Sequence, residues 1–415
     1  MGEIEMRRAA ATTPVITLSD TEARIDMVKL RGYRLGRIRR QLKTSRCGAA
    51  IFFDPINVRY ATGRRGHATF GLHILGRAAF IPADGPVVLF DSEAYAHLSE
   101  PLETIDEVRP GKALSFFFGG PRAKDNAAWF GKEIAALVKR HCHGNKRVAL
   151  DRGDIYISRA LESHGMSLTD GQELAERARS IKSAEEILCM NFALTAAETG
   201  MANMRAALRP GISENQLWAH LHHANIAMGG EWIDARLMAS GDRTNPWGQE
   251  TSDRVIRASE LVAFDCDMVG PFGYCADISR TWLCGPGKPS ANQRKLYKLA
   301  YEEVHHNISV LKAGMTFREY ARKAWKPPKN CIPNRYVVLS HGIGMCDEYP
   351  SIYYQIDWPQ RGFDGVIEEN MTLCVESYVG PAGEREGVKL ERQVLITKSG
   401  AVTLDKFPFE DELMR

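Results

Sequence analysis

Residues 261–282 read LVAFDCDMVGPFGYCADISRTW. The run is apolar enough for a buried strand, yet it carries Asp265, Asp267 and Asp277. Asp265 and Asp267 lie two apart, so on a strand both point to one face. Pro271-Phe272-Gly273-Tyr274 is a turn signal, and a hairpin across it would return Asp277 to their side. Further along the chain, His341 closes the strand-like run YVVLSHG (336–342) and is followed by Gly-Ile-Gly. Glu376 lies inside MTLCVESYV (371–379) and Glu391 inside VKLERQVLIT (388–397). A carboxylate inside a β run is costly unless it is paired or metal-bound. One such acid alone reads as a solvent-facing strand residue. Five acids and a histidine together form a hard, oxygen-rich donor set, suited to two divalent cations about 3.5–4 Å apart.

The segments around these runs set the architecture. Ser183-x-x-Glu186 is a capping box that opens a helix to about residue 208, where Pro210-Gly211 ends it. Ser213-x-x-Gln216 opens a second helix, Ser290-x-x-Gln293 a third and Thr316-x-x-Glu319 a fourth. The third carries Leu296, Ala300, Val304, Ile308 and Leu311 at helical spacing. Two helix pairs, each followed by strands, predict a duplicated αα-β unit with the helices on one side of a curved antiparallel sheet. The first half reads differently. A basic amphipathic helix over 19–45 precedes strand-like runs at 47–53, 57–63, 77–82 and 86–91. A helix at 126–140 and a buried strand RVALD (147–151) follow, which predicts an α/β domain. The expected class is α+β, with a flexible lead over 1–18, an N-terminal domain over 19–178 and a C-terminal domain over 179–415. The basic run RGYRLGRIRRQLK (31–43) reads as a solvated face or a dimer contact.

Composition excludes several classes. The 415 residues allow two or three domains. A hydrophobic fraction of 44% and a charged fraction of 25% are those of a soluble globular chain. A net charge of +3 gives no strong field toward nucleic acid or an anionic membrane. No apolar stretch is long enough to span a bilayer, and the first residues show no apolar core of a secretory signal. The nine cysteines are scattered without a CxxC pair, so reduced, buried thiols in a cytoplasmic protein are expected, and no thiolate zinc site.

The chain order Asp265, Asp277, His341, Glu376, Glu391 resembles the metallopeptidase family of creatinase, prolidase, aminopeptidase P and methionine aminopeptidase, which has the pita-bread fold. The lead-in RARSIKSAEEI (177–187) is similar to that family's first catalytic helix, and the specific likeness covers about 180–400. The first half resembles the creatinase-type N-terminal domain. Three positions depart from the peptidases. Asp267 stands where they carry a glycine, as a sixth ligand or as an acid beside the site. Trp247, in ASGDRTNPWGQE (239–250), stands where they place a substrate-binding histidine. Asp347, in HGIGMCDEYP (341–350), stands where a second histidine would be.

This combination resembles one branch of the family, the DddP-type dimethylsulfoniopropionate lyases. The resemblance implies β-elimination of a small zwitterionic substrate to dimethyl sulfide and acrylate, with iron as the metal and a homodimer as the assembly. The donor set itself also admits zinc, manganese or cobalt. Asp347 would be the base that removes the proton α to the carboxylate, with the adjacent Glu348 as the alternative. A sulfonium cation favours an aromatic surround, and Tyr336 and Trp247 are the expected partners, ahead of Tyr349, Tyr353 and Tyr354. The competing functions are an Xaa-Pro dipeptidase or aminopeptidase, or a creatinase-like C–N hydrolase, on the same metals. A non-enzymatic scaffold would require lost ligands, and all five are present.

Overall fold

The structure, a computed structural model, describes residues 2–11, 22–66 and 68–415. It divides into two compact units, Glu22–Arg179 and Ser180–Arg415, the latter joined by the N-terminal residues. The lead expected to be flexible over 1–18 instead carries helix α1 (Glu3–Ala11). Its Met6, Ala9 and Ala10 recur at i, i+3 and i+4 and are buried, and Asn191 Nδ2 donates to Ala9 O at 2.6 Å. Residues 12–18 of that expected lead lie outside the described residues.

In the Glu22–Arg179 unit, α2 (Met27–Thr44) precedes β1 (Ala49–Phe52), α3 (Pro55–Thr62), α4 (Ala68–His73), β2 (Ala78–Pro82), β3 (Val88–Asp91) and β4 (Glu107–Pro110). Then come α5 (Phe116–Gly119), α6 (Ala123–His141), β5 (Arg147–Leu150), α7 (Ile155–Ser163), β6 (Ser167–Asp170) and α8 (Gly171–Arg179). The six strands form one sheet in the order β4-β3-β2-β1-β5-β6, in which only β2 runs against its neighbours. Helix α6 lays Ala127, Phe130, Ile134 and Leu137 on Ile51, Phe80, Phe90 and Val148 of the sheet. Two expectations fail here. Residues 57–63 are not a strand. The Asp54 carboxylate caps the N–H groups of Ile56 and Asn57, Pro55 sits in the first turn and Gly63 (φ 76°) ends it, so local signals make a helix. The basic run is only partly solvated. Arg34 and Arg37 are buried, and Arg37 Nε donates to Ala178 O at 3.0 Å.

The larger unit opens with α9 (Ala184–Ala207) and α10 (Glu214–Ala227), both started by the expected capping boxes. Short strands β7 (Trp232–Ile233), β8 (Met238–Ser240), β9 (Leu261–Asp265), β10 (Met268–Val269), β11 (Cys275–Ala276) and β12 (Ser279–Leu283) make two three-stranded sheets, β12-β9-β8 and β11-β10-β7. Helices α11 (Ala291–Val310) and α12 (Phe317–Lys323) follow, again with capping boxes. The chain then builds β13 (Ser340–Ile343), β14 (Asp347–Ile352), α13 (Trp358–Arg361), β15 (Thr372–Val379), β16 (Val388–Thr397), β17 (Gly400–Thr403) and α14 (Asp411–Met414). The strands β14-β13-β15-β16-β17 form one antiparallel sheet. Of the run 336–342, only residues from Ser340 onward are strand. Helix α11 packs Leu296, Tyr297, Ala300 and Val304 on Val388 and Leu390 of β16. No helix among the described residues is long and apolar enough to cross a membrane.

Arg280 joins the two sheet systems. It is fully buried on β12, and its guanidinium donates to Glu391 O (2.7 Å), Phe407 O (2.5 Å) and Asp405 Oδ2 (3.0 Å). Arg280→Met roughly keeps the volume but removes the donors to the Glu391 and Phe407 carbonyls, while Asp405 keeps Arg392 Nε and the Gln393 N–H, both at 3.0 Å, so a denaturant titration should show a loss of about 2–4 kcal/mol. A loss below about 1 kcal/mol would mean that Arg280 adds little to the Thr281–Lys389 hydrogen bonds that also join β12 to β16.

Candidate metal centre

The acids come together at the meeting line of β9, β12, β13, β15 and β16. The β9–β12 pairing sets Asp265 opposite Ser279, and the turn at 271–273, with Phe272 at φ 64°, brings Asp277 back as expected. In the five-stranded sheet Glu376 stands directly opposite Glu391, and His341 opposite Cys374. Asp277, His341, Cys374 and Glu391 offer ligand atoms within 4.8 Å of one another, as do Asp265, Glu376 and Glu391, and also Asp265, Asp267 and Asp277. All six expected residues are therefore gathered. Asp267 arrives by a different route from the one expected. Strand β9 stops at Asp265, and Asp267 turns inward through a backbone with φ 35°, not by strand alternation.

His341 Nε2 lies 3.4 Å from Glu376 Oε1, 3.5 Å from Asp277 Oδ2 and 3.9 Å from Glu391 Oε1. Nδ1 donates to Gly342 O (3.0 Å), so Nε2, which faces three acids, is the nitrogen that would bind a metal. Asp277 Oδ1, Glu376 Oε1 and Glu391 Oε1 are buried without a hydrogen-bond donor among the described residues. The opposite edge of the cluster is satisfied. The Lys389 ammonium, itself fully buried, lies 2.6 Å from Glu376 Oε2, 2.9 Å from Asp265 Oδ2 and 3.3 Å from Glu391 Oε2. Ser279 Oγ is 2.7 Å from both Asp265 Oδ1 and Glu391 Oε2.

The electrostatics describe a site that demands positive charge. Burial, then the charges of Glu391 and Asp265, push Asp277 well above the carboxylate range. Burial, then Glu376, does the same to Glu391, against Lys389. Asp267 is raised by burial and by Asp265. Burial works against Asp265 too, but Lys389 and its hydrogen bonds outweigh it and hold that carboxyl low. Burial would lower His341, yet Asp347 and Glu376 raise it well above the ordinary imidazole value. Five carboxylates against one ammonium leave four negative charges, which two divalent cations would balance. The orphaned oxygens face the side that Lys389 leaves open, so the residues fit a metal pair.

Asp347 and Glu348 separate cleanly. Asp347 Oδ1 is 3.6 Å from His341 Nδ1, and its side chain is 64% exposed at the mouth of the cluster. Partial loss of hydration raises its pKa, His341 pulls it down, and Asp265, Glu376 and Glu348 raise it further, so the net shift is upward. Glu348 turns inward, where Lys182 Nζ lies at 2.8 Å and Met345 N–H donates at 3.0 Å. Tyr336 and Trp247 both face the site, with Lys389 Nζ 4.5 Å and 5.9 Å from their ring centres. The other tyrosines do not. Tyr354 donates to the buried Glu303 at 2.9 Å, and Tyr349 and Tyr353 pack on Phe363.

Sequence reasoning missed Lys389, Ser279, Cys374 and Asp234. Lys389 was findable, since it shares a strand face with Glu391 two residues on. Cys374 bears the same relation to Glu376 and sits in the donor cluster, although no thiol was expected there. Asp234 had no local signal. Its backbone N–H donates to Asp267 O at 3.0 Å, and its carboxyl is raised by burial and by Asp347. All nine cysteines are free.

Residues 189–398 match metallopeptidase family M24, and residues 34–181 match the creatinase/prolidase N-terminal domain. The chain is 37% identical over 394 residues to a protein named dimethylsulfoniopropionate lyase DddP from Roseovarius nubinhibens, covering 94% of this chain and 88% of that one. A protein of the same name from Roseobacter denitrificans is 36% identical over the same shares. Among solved structures, an Xaa-Pro dipeptidase from Bacillus anthracis superposes with a TM-score of 0.74 at 21% identity, over 92% of this chain and 99% of that one, a likeness of fold.

The Lys182–Glu348 pair makes a testable unit. Lys182→Met should cost about 3–5 kcal/mol, because it leaves a buried carboxylate uncompensated, and the double variant with Glu348→Gln should recover more than half of that. Strictly additive losses in urea titrations would disprove the pairing.

Proposed function

The chain belongs to metallopeptidase family M24, and from that premise we propose that it is a metal-dependent lyase that splits dimethylsulfoniopropionate into dimethyl sulfide and acrylate. The observation that carries this is the 36–37% identity, over 94% of the chain, to proteins named for that reaction. The site agrees with it. A peptide hydrolase of this family needs histidines where this chain has Trp247 and Asp347, and an elimination does not.

We assign Asp265, Asp267, Asp277, His341, Glu376 and Glu391 as the residues that would hold two divalent metals. When bound, the metals would bind the substrate carboxylate and stabilise the negative charge that develops beside it. Iron is the metal we propose, and we propose a homodimer and a cytoplasmic location, the last supported by nine free thiols. Asp347 accepts the proton from the carbon α to the carboxylate. The electrons of that C–H bond become the C=C bond of acrylate. The C–S bond breaks with its electron pair on sulfur, and the sulfonium leaves as neutral dimethyl sulfide, so no general acid is required. Asp347 suits this role because it is held above the ordinary carboxylate range, at the open face of the cluster, next to a ligand histidine. Glu348 is a poor base, since Lys182 holds it inside the fold. Tyr336 and Trp247 present aromatic faces to a cation, as a sulfonium requires.

Headspace dimethyl sulfide from iron-loaded protein tests the reaction, with an Ala-Pro dipeptide as the competing substrate. Gas evolution without dipeptide cleavage is expected, and the reverse would make the protein a peptidase. Asp347→Asn should lower kcat by about 10²–10⁴-fold while metal content stays at the wild-type level. The base works only when ionised, so kcat/KM should rise with pH through a step displaced above the ordinary value of 3.8. That step should vanish in Asp347→Asn.

Metal binding gives a second test. Stripped protein should take up two equivalents of Fe(II) or Mn(II) and gain about 2.7 kcal/mol of stability per bound metal at a hundredfold excess over Kd. Asp277→Ala and Glu391→Ala should each lose at least one equivalent and most of that gain. Uptake unchanged in both variants would move the metals elsewhere.

A further inference from the structure

The Glu22–Arg179 unit contains a cavity of about 440 Å³ that takes no part in the chemistry above. Phe53, Val58, Phe70, Ile74, Tyr95 and Phe118 give it a largely apolar wall. Its place in the sheet is informative. Phe53 follows the end of β1, and Asp91 is the last residue of β3. Both strands run against β2, so they are parallel to each other, and the cavity opens beyond their carboxyl ends. In open α/β sheets that edge is where ligands bind.

Two charged side chains, Asp91 and Arg77, line this cavity. Asp91 is 3% exposed and receives Arg77 Nε at 2.8 Å and Arg64 at 3.2 Å. Arg64 spends its remaining donors on Ser99 Oγ, at 3.1 Å, and on the carbonyl of Arg65. Arg77 makes only the Nε bond, and its two terminal nitrogens have no acceptor among the described residues. The backbone at Gly66 passes close over that face, a Cβ there lying 2.6 Å from the nearer of them. Two guanidiniums share one carboxylate, which leaves a positive charge at the floor of an apolar cavity. Burial and the charge of Arg77 lower Arg64, as that imbalance requires. An incoming carboxylate would match the free edge of Arg77 with two parallel N–H···O bonds.

We propose that this cavity is a binding site for a small organic carboxylate with an apolar body, its carboxylate on Arg77 and its body against Phe70, Ile74 and Phe118. Calorimetric titration of the full chain with 4-phenylbutyrate, 4-phenylbutyramide and 4-phenylbutylamine tests it. The acid should bind once per chain, and the amide and the amine at least about tenfold more weakly. Arg77→Gln should bring the acid down to the level of the amide and leave the amide unchanged, and Asp91 keeps Arg64 as its partner in that variant. Ile74→Trp, which fills the cavity, should weaken both. Equal binding of acid and amide, absence of saturable heat, or acid binding that survives Arg77→Gln would each overturn the proposal. The last result would place the carboxylate on the metal centre instead.

Discussion

Glu376 and Glu391 face each other across two neighbouring antiparallel strands, fully buried. Like charges in that register repel, and no solvent screens them. A fold that places them there has to supply positive charge, and the rest of the larger unit can be understood as the means of doing so. Lys389 lies two residues before Glu391, so strand alternation puts its ammonium on the same face. It binds the outer oxygens of both glutamates and of Asp265. The inner oxygens of the two glutamates have no donor among the described residues and turn toward His341. One fixed cation thus divides the cluster into an edge the protein neutralises itself and an edge left for protons or an added cation to neutralise.

The same division separates structural acids from the acid proposed to act. Asp347 and Glu348 are adjacent, so on β14 they point to opposite sides. The inward one is committed to Lys182 and to the backbone of Met345, which closes the Gly342–Cys346 loop around its carboxylate. A side chain at Gly344 would lie 2.5 Å from that carboxylate, so the glycine there is a packing requirement. The outward one is left at the mouth beside His341. The pinned Glu348 fixes where its neighbour points.

Much of this was legible in the sequence, because its signals are periodic. Four capping boxes gave four helix starts at the right residues, and acids embedded in apolar strand runs gave the donor set. What failed has local causes. Residues 57–63 look like a strand by composition, but a capping aspartate, a first-turn proline and a left-handed glycine override that pattern. The N-terminal helix was hidden because three small or flexible apolar residues are a weak stripe until α9 supplies a surface. Asp267 was placed on the right side for the wrong reason, since a single positive-φ residue does what alternation was expected to do. Asp234 was invisible because its nearness to Asp347 depends on two separate sheets meeting.

The aromatic pair bears on how one fold could pass from hydrolysis to elimination. Tyr336 and Trp247 both look onto the Lys389 ammonium. Such faces stabilise any cation placed against them, and they cost least when already oriented. Hydrolysis has to deliver a proton to a leaving amine, which is work for a histidine. Elimination from a sulfonium releases a neutral sulfide and needs no proton there, but it does need somewhere for the positive charge to sit beforehand. Exchanging a proton carrier for an aromatic face at position 247, and another for a carboxylate at 347, meets both demands while leaving the metal ligands untouched. On the proposed reading, two substitutions at the rim of an unchanged charge cluster redirect the chemistry.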